Sequence, residues 1–245
     1  MSGPEEYQNA TVAERYESHR FSGSGGNYVN QVEHSVLRSM LPKVEAAHIL
    51  DLACGTGRMM PILDHGDSHV VGLDLSWPML KEAQRTFPSQ YIQGDLYQLP
   101  FKESSFDIVT AYRVHYLLHD TESFFMEIRR VLDDDGVMIF TTVSKFSSRG
   151  FLNLAQKLLT KNKGIRPAAP GALTASLAKS GFRVERLVRK FSLPLNSYRL
   201  LPSSVLRVAE FVDDYLPSSV RVGIFVKCKK NESEPDVRLH GSVLS

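Results

Sequence analysis

The sequence predicts an α/β fold built on a mostly parallel β-sheet with helices on both faces. Three observations carry this reading. From His48 to Val143, short and nearly continuous apolar strands alternate with amphipathic helices, the pattern of strands buried on both sides. The first of them, His48-Ile-Leu-Asp-Leu52, runs into a glycine-rich turn that opens a helix, and a helix N-terminus presents free N–H groups to a ligand. Acidic residues, Asp51, Asp74 and Asp95, stand at or just beyond the ends of three successive strands. Ligands of such sheets bind at the carboxyl ends of the strands.

Residues 1–44 read as a helical or lid segment ahead of the core. Val12–Tyr16 reads as a helical turn. Phe21–Asn27, mostly glycine and serine, reads as a mobile loop. Tyr28–Leu41 places Tyr28, Val29, Val32, Val36, Leu37 and Met40 at helical spacing and is closed by Pro42. After the first strand, Met59–His65 begins a helix and His69–Asp74 is the second strand. Trp77–Thr86 is a helix with Pro78 in its first turn. Tyr91–Gln93 and Phe106–Ala111 are strands three and four. Glu122–Leu132 is a helix that stops at Asp133-Asp-Asp-Gly136, and Val137–Val143 is the fifth strand. Phe151–Leu159, Gly171–Ser180 and Ser203–Leu216 read as helices, Lys161–Arg166 as a basic loop, and Phe182–Phe191 and Val220–Cys228 as strands. Residues 45–230 thus read as one domain whose inserts, 146–180 and 194–217, make a small helical cap. Residues 231–245 read as a disordered tail.

The 245 residues suffice for one such domain, with 42% apolar and 23% charged residues as in ordinary globular chains. Cys54 and Cys228 make no disulfide framework, and that usage fits the cytoplasm. No run approaches the roughly 18–20 apolar residues of a membrane span. The first twenty residues are polar, so no secretory leader is expected. A net charge of +2 gives no reason to invoke nucleic acid. The basic clusters Lys161–Arg166, Arg183–Lys190 and Lys227–Lys230 read as solvated surface. No metal site is expected.

The glycine turn narrows the ligand. A dinucleotide fingerprint wants a third glycine at position 60, where Met60 stands. Asp51 would repel a pyrophosphate and suits a ligand that carries positive charge. Asp74 lies nineteen positions beyond Gly55, the spacing at which an acid accepts ribose hydroxyls; the alternative is a strand-end carboxylate beside the cap of the next helix. Asp95, with the N–H of Leu96, suits the hydrogen-bonding edge of adenine.

Taken together, Asp51-Leu-Ala-Cys-Gly-Thr-Gly57, Gly72-Leu-Asp-Leu-Ser76, Gly94-Asp-Leu96, Phe106-Asp-Ile-Val109 and Val131-Leu132 with Gly136 resemble class I S-adenosylmethionine-dependent methyltransferases. The resemblance is greatest to the ubiquinone/menaquinone-biosynthesis-like branch, the type 11 methyltransferase domain. It covers residues 45–143 and, more loosely, the whole chain. It implies a Rossmann-like sheet of seven strands with Val220–Cys228 antiparallel between the fifth and sixth. It also implies S-adenosylmethionine as cofactor. Asp51 with Ala53, Cys54, Gly55 and Gly57 would surround the methionine part. Asp74 would hold the ribose, Leu75 and Met79 would pack on the adenine, and Asp95 and Leu96 would read its edge. Tyr112 would border the methionine and the reacting methyl. Tyr28 and Arg20, flanking the glycine-rich loop, read as a lid. The sequence departs from the family at Ala53, where the broader pattern has glycine, and at Asp133–Gly136, where relatives have Lys-Pro-Gly. Relatives often have a His-His or Leu-His pair near positions 116–117; here Tyr116-Leu117 stand there and the histidines are His115 and His119, so no histidine role carries over.

Methyl transfer from a sulfonium is an in-line displacement that needs mainly alignment, with a general base for acceptors of high pKa. His115, Tyr116 and Arg113, then Tyr112 and His119, are the candidates. Each has the alternative of simply packing on the sheet. The expected acceptor is a small, partly apolar molecule under a cap made from the N-terminal segment and residues 146–217. The alternatives are an RNA or protein methyltransferase and a non-catalytic cofactor-binding domain. Oligomeric state stays open.

Overall fold

The computed structural model describes residues 4–145, 166–215 and 217–231. The expected helix Phe151–Leu159, most of the basic loop before Arg166 and the tail after Asn231 lie outside the described residues.

Seven strands form one sheet: β1 (His48–Leu52), β2 (His69–Asp74), β3 (Gln90–Gln93), β4 (Phe106–Ala111), β5 (Leu132–Val143), β6 (Phe182–Lys190) and β7 (Gly223–Lys230). Their order is β3-β2-β1-β4-β5-β7-β6. The pairs among β1 to β5 are all parallel, and β7 runs antiparallel between β5 and β6, as the resemblance implied. The chain winds outward from β1 in one direction and then returns to place β4 on its other side. The topological switch therefore falls between β1 and β4, where such sheets open a crevice.

Alternation along the strands sorts the core into two layers. Ile49, Ile108 and Val137 line up across three strands and pack with Leu37 and Met40. Leu50, Val109 and Met138 face the other way, toward Phe124, Phe125 and Ile128. The helices are α1 (Ala10–Phe21), α2 (Gly23–Met40), α3 (Met60–Leu63), α4 (Trp77–Thr86), α5 (Thr121–Val131), α6 (Pro170–Lys179), α7 (Leu195–Tyr198) and α8 (Ser203–Tyr215). Side chains cap three of them: Asn9 accepts the N–H groups of Thr11 and Val12, Ser76 that of Met79, and Asp120 those of Glu122 and Ser123.

Three expectations need correction. The glycine-rich stretch is not a loop but the opening of α2. A Cβ on Gly25 would lie 1.9 Å from the carbonyl oxygen of Tyr198, and one on Gly26 would lie 2.4 Å from the backbone of Phe21. The glycines let one backbone touch another, a tertiary demand that local composition hides. Secondly, β5 begins at Leu132. Phe106 pairs with Leu132 and Ile108 with Val137, so Asp133–Gly136 bulge out of the strand instead of preceding it. Thirdly, α8 buries Leu206 and half-buries Ala209, while Val205, Val208, Phe211 and Tyr215 are exposed. Among the described side chains of α8, the packing seam on the core is narrower than the apolar face.

Gly25 gives the first test. In an isolated helix alanine would be favoured by about 1 kcal/mol. Here Gly25→Ala should destabilise the protein by about 1–3 kcal/mol, because backbone must move to admit the methyl group. Urea unfolding measures it; equal or greater stability would show that α2 does not need this contact.

Candidate functional site

Strand β1 delivers the chain into Ala53-Cys-Gly-Thr-Gly57, where Ala53, Gly55 and Gly57 all have positive φ, at 53°, 58° and 76°. A Cβ on Gly55 would meet nothing, so that face of the turn is open. One on Gly57 would sit 3.0 Å from the Tyr91 hydroxyl and 3.2 Å from Ala83, so Gly57 serves close packing against α4 and β3. Ala53 holds a left-handed conformation that glycine would adopt without a Cβ penalty.

Asp74, at the end of β2, accepts the backbone N–H of Gly55 at 2.9 Å and that of Ser76 at 2.8 Å. It locks the glycine turn to the start of α4. Burial raises its carboxyl above the ordinary range, against the backbone N–H groups of Ser76, Gly55 and Leu75 that act to lower it. After β3, Asp95 accepts the N–H of Tyr97 at 3.0 Å.

A cavity of about 360 Å³ opens where these segments meet. Ala53 and Gly55 of the first turn line it, as do Asp74, Leu75 and Met79 from β2 and α4. Asp95 and Leu96 come from the turn after β3, and Tyr112 and Arg113 from the segment after β4. Four predicted residues stand outside this lining. Asp51 is buried under the turn, accepts the Thr110 hydroxyl at 2.6 Å, and is pushed by burial up to about 7 despite Thr110 and Arg58. Cys54 is buried and its thiol lies well above the usual range, through burial and then Asp51 and Asp74, so it is no nucleophile at neutral pH. Gly57 faces α4. Tyr28 packs 5.5 Å from the ring of Tyr198 and 6.4 Å from that of Phe191, so the expected lid role is not where the structure puts it.

The cover comes from farther upstream. Tyr7, Gln8 and Tyr16 line the cavity. The Ser76 hydroxyl donates to the Tyr7 carbonyl, and the Gln8 amide donates to the Leu75 carbonyl at 3.2 Å. Residues 4–10 hold no apolar periodicity; contacts with α4 and with Tyr16 and Arg20 of α1 order them.

The base candidates separate sharply. His115 is buried, stacks on Phe125, shares a 2.9 Å hydrogen bond with Thr142, and burial lowers it to about 4. It is a neutral core histidine outside the cavity lining. The half-buried Tyr116 is also outside it, with burial raising its hydroxyl to about 12. Arg113 lines the cavity but is a permanent cation: burial opposes its charge, and Glu33 overrides that. Its Nε donates to Glu33 at 3.0 Å, and its Nη2 lies 2.9 Å from the same carboxylate oxygen in an ion pair. Of the described histidines, His119 is the one in the lining, its Nδ1 3.1 Å from the Tyr97 hydroxyl.

Glu33 and Arg58 escaped the sequence reading. Glu33, 2% exposed on the buried face of α2, takes Arg58 at 2.7 Å on its second oxygen. Arg58 also donates to Asn30 at 2.7 Å, and the ring of Phe21 lies 4.2 Å from its guanidinium and 4.9 Å from that of Arg113. Glu17 accepts the Thr56 hydroxyl. The N-terminal helices are thereby tied to the glycine turn and to the segment after β4. A signal existed: Glu33 interrupts the apolar stripe Val29, Val36, Leu37, Met40 on one helix face.

Removing Glu33 should strand two buried guanidinium groups. Glu33→Ala is expected to lose about 3–5 kcal/mol in denaturant unfolding. Burial works to raise the Glu33 carboxyl, but Arg113 and Arg58 hold it below its ordinary 4.5. Its contribution is therefore full above that value and lost as pH falls through the lower, folded-state one. The stability gap between wild type and Glu33→Gln should close in acid; a gap that widens below pH 4.5 would contradict the triad.

The geometry has counterparts. The methyltransferase-domain family matches residues 50–140. The chain is 28% identical over 169 residues to a malonyl-[acyl-carrier protein] O-methyltransferase of Enterobacter lignolyticus, covering 69% of this chain and 66% of that protein. It is 26% identical over 158 residues to a ubiquinone/menaquinone biosynthesis C-methyltransferase of Campylobacter jejuni, covering 56% and 67%. The chain spans about half to two thirds of the length of the curated relatives it matches. A solved S-adenosylmethionine-dependent methyltransferase from Mesorhizobium loti superposes with a TM-score of 0.61 at 24% identity, covering 80% of this chain and 96% of that one; that likeness establishes the fold. Among the described residues no helix is long and apolar enough to cross a membrane, and none of their acids, histidines and cysteines cluster as a metal site would.

Proposed function

We propose that the protein, whose residues 50–140 match the methyltransferase-domain family, transfers a methyl group from S-adenosylmethionine to a small-molecule acceptor. One observation carries the reading: the cavity at the switch point presents the carboxylates of Asp74 and Asp95, while Arg113, the one arginine or lysine among its described lining residues, is held by the buried carboxylate of Glu33. Such a site attracts an ammonium and a sulfonium and repels a pyrophosphate. S-adenosylmethionine supplies an electrophilic methyl on a good leaving group.

The chain's own residues then have defined tasks. The open face of the Ala53–Gly57 turn admits the methionine backbone. Asp74, its carboxylate already oriented by two N–H groups, accepts the ribose hydroxyls. Leu75 and Met79 flank the adenine, and Asp95 with Leu96 reads its edge. Tyr7, Gln8 and Tyr16 exclude water over the cavity. Their presence favours a small acceptor over a polymer, which would want an open basic groove. The chemistry itself asks chiefly for alignment. His119, paired with Tyr97, is our assignment for proton acceptor where the acceptor's pKa requires one. Two buried, unpaired cysteines fit a reducing compartment, the cytoplasm.

Calorimetry tests the cofactor. S-adenosylmethionine should bind and NAD should not, and Asp74→Ala should weaken binding by about 1–3 kcal/mol. Tight NAD binding, or unchanged affinity in the variant, would defeat the assignment.

Asp51 adds a pH signature. Its carboxyl, raised to about 7, is protonated below that value, and a cationic ligand favours the ionised form. Affinity for S-adenosylmethionine should therefore tighten from pH 6 to pH 8, by at most about tenfold per pH unit for one proton released. Asp51→Asn should flatten the profile, and a profile that runs the other way would show that Asp51, beneath the turn, does not act on the ligand.

A further inference from the structure

A second cavity, of about 340 Å³, lies beyond the ligand cleft and shares two of its walls, Tyr7 and Tyr16. The two rings meet edge to face at 6.0 Å and form a partition. The charge on the far side is opposite to that in the cleft. Arg15, Arg20 and Arg199 line the second cavity with His19, and Glu6 is the one acid among its described lining residues. Among the described residues none of these three arginines is in an ion pair. Arg20 is held in place by the partition itself, donating to the Tyr7 hydroxyl at 3.3 Å and lying 5.0 Å from the Tyr16 ring centre.

Guanidinium groups stay charged at any physiological pH. Three of them around one small cavity repel each other, and a carboxylate or phosphate would relieve that repulsion while taking charge-assisted hydrogen bonds. The arrangement draws on two separate parts of the chain. Arg15 and His19 stand four positions apart on one face of α1, and Arg199 follows α7 in the 194–217 insert. Among its described residues that insert does not line the ligand cleft, contrary to expectation; its contribution is here, through Asn196 and Arg199. The volume falls within the range of small-ligand pockets.

From this separation of charge we infer that the second cavity binds the anionic end of the methyl acceptor. The inference rests on the methyl-transfer reading above. The acceptor is a small molecule with a carboxylate or phosphate at one end and its nucleophilic atom at the other. Its middle lies against the tyrosine partition, which suits an aromatic or aliphatic spacer. The carboxylates of the cleft hold the cationic cofactor on one side, and the arginines hold the anion on the other. The same charge pattern keeps either ligand out of the other's place.

The test uses the full chain and three probes in calorimetry at low ionic strength: phenyl phosphate, benzoate and S-adenosylhomocysteine. At least one of the two anions should bind saturably, and which one binds tells phosphate from carboxylate. Arg15→Gln/Arg199→Gln should weaken that binding by about tenfold or more, the scale of hydrogen bonds to charged groups. S-adenosylhomocysteine should bind wild type and variant alike, and an unshifted melting temperature should show that the variant folds. Added salt should weaken the anion and spare S-adenosylhomocysteine. Silence of both anions overturns the proposal, as does undiminished binding in a folded variant. A single-stranded oligonucleotide that binds where both small anions fail overturns it in favour of a polymeric substrate. Anion binding without S-adenosylhomocysteine binding keeps the anion site and overturns its assignment to a methyl acceptor.

Discussion

Glu33 is a carboxylate almost without water, and it holds two guanidinium groups that are nearly as dry. Charges so buried are tolerated only when paired. Arg58 belongs to the end of the glycine turn after β1, Arg113 follows β4, and Glu33 rides on α2. These are the two strands on either side of the topological switch and the helix that crosses them. Moving any one of the three segments would expose an unpaired charge to an apolar interior. The triad carries one surplus positive charge, and the face of Phe21 lies against both guanidinium groups. The closing residue of α1 thus takes part in the same lock.

That lock explains why the ligand cleft has the character it does. Arg113 lines the cleft, and left alone it would make the site attractive to anions. With Glu33 paired on two of its nitrogens, the carboxylates of Asp74 and Asp95 set the sign of the cavity. Asp74 has a second duty, since it receives the N–H groups of Gly55 and Ser76 and joins the turn after β1 to the start of α4. A buried carboxylate that structures its own surroundings needs no rearrangement when a ligand arrives, which is the economy of a preorganised site.

The N-terminal helices complete the molecule on the side where the strands end. They are attached at several points: Glu17 to Thr56, Tyr7 to Ser76, and Gln8 to Leu75. Gly25 allows α2 to touch the backbone of Tyr198, which brings Arg199 toward α1. The same packing that closes the cleft therefore gathers the arginines behind the tyrosine partition. Covering the cleft and building a second, oppositely charged cavity are one structural event.

The strands, the parallel core and the acids at three strand ends were legible in the sequence, because buried strands demand apolar runs and a glycine turn has a local signature. The antiparallel place of β7 followed from resemblance, and the sheet has it. What stayed hidden depended on partners distant in the chain. Gly25 and Gly26 look like a loop until a second backbone lies against them. Asp133–Gly136 look like a stop until Leu132 pairs with Phe106. His115 reads as a candidate base, yet Phe125, Phe140 and Thr142 enclose it. Tyr28 stands beside the glycine-rich stretch and turns instead to Phe191 and Tyr198. Periodicity and turn chemistry are short-range and survive in the sequence alone. The pairing of Glu33 with Arg58 and Arg113, and the sign of charge on each side of Tyr7 and Tyr16, arise between segments far apart in the chain. Electrostatics at close range depends on distance in space, so only the folded chain could decide them.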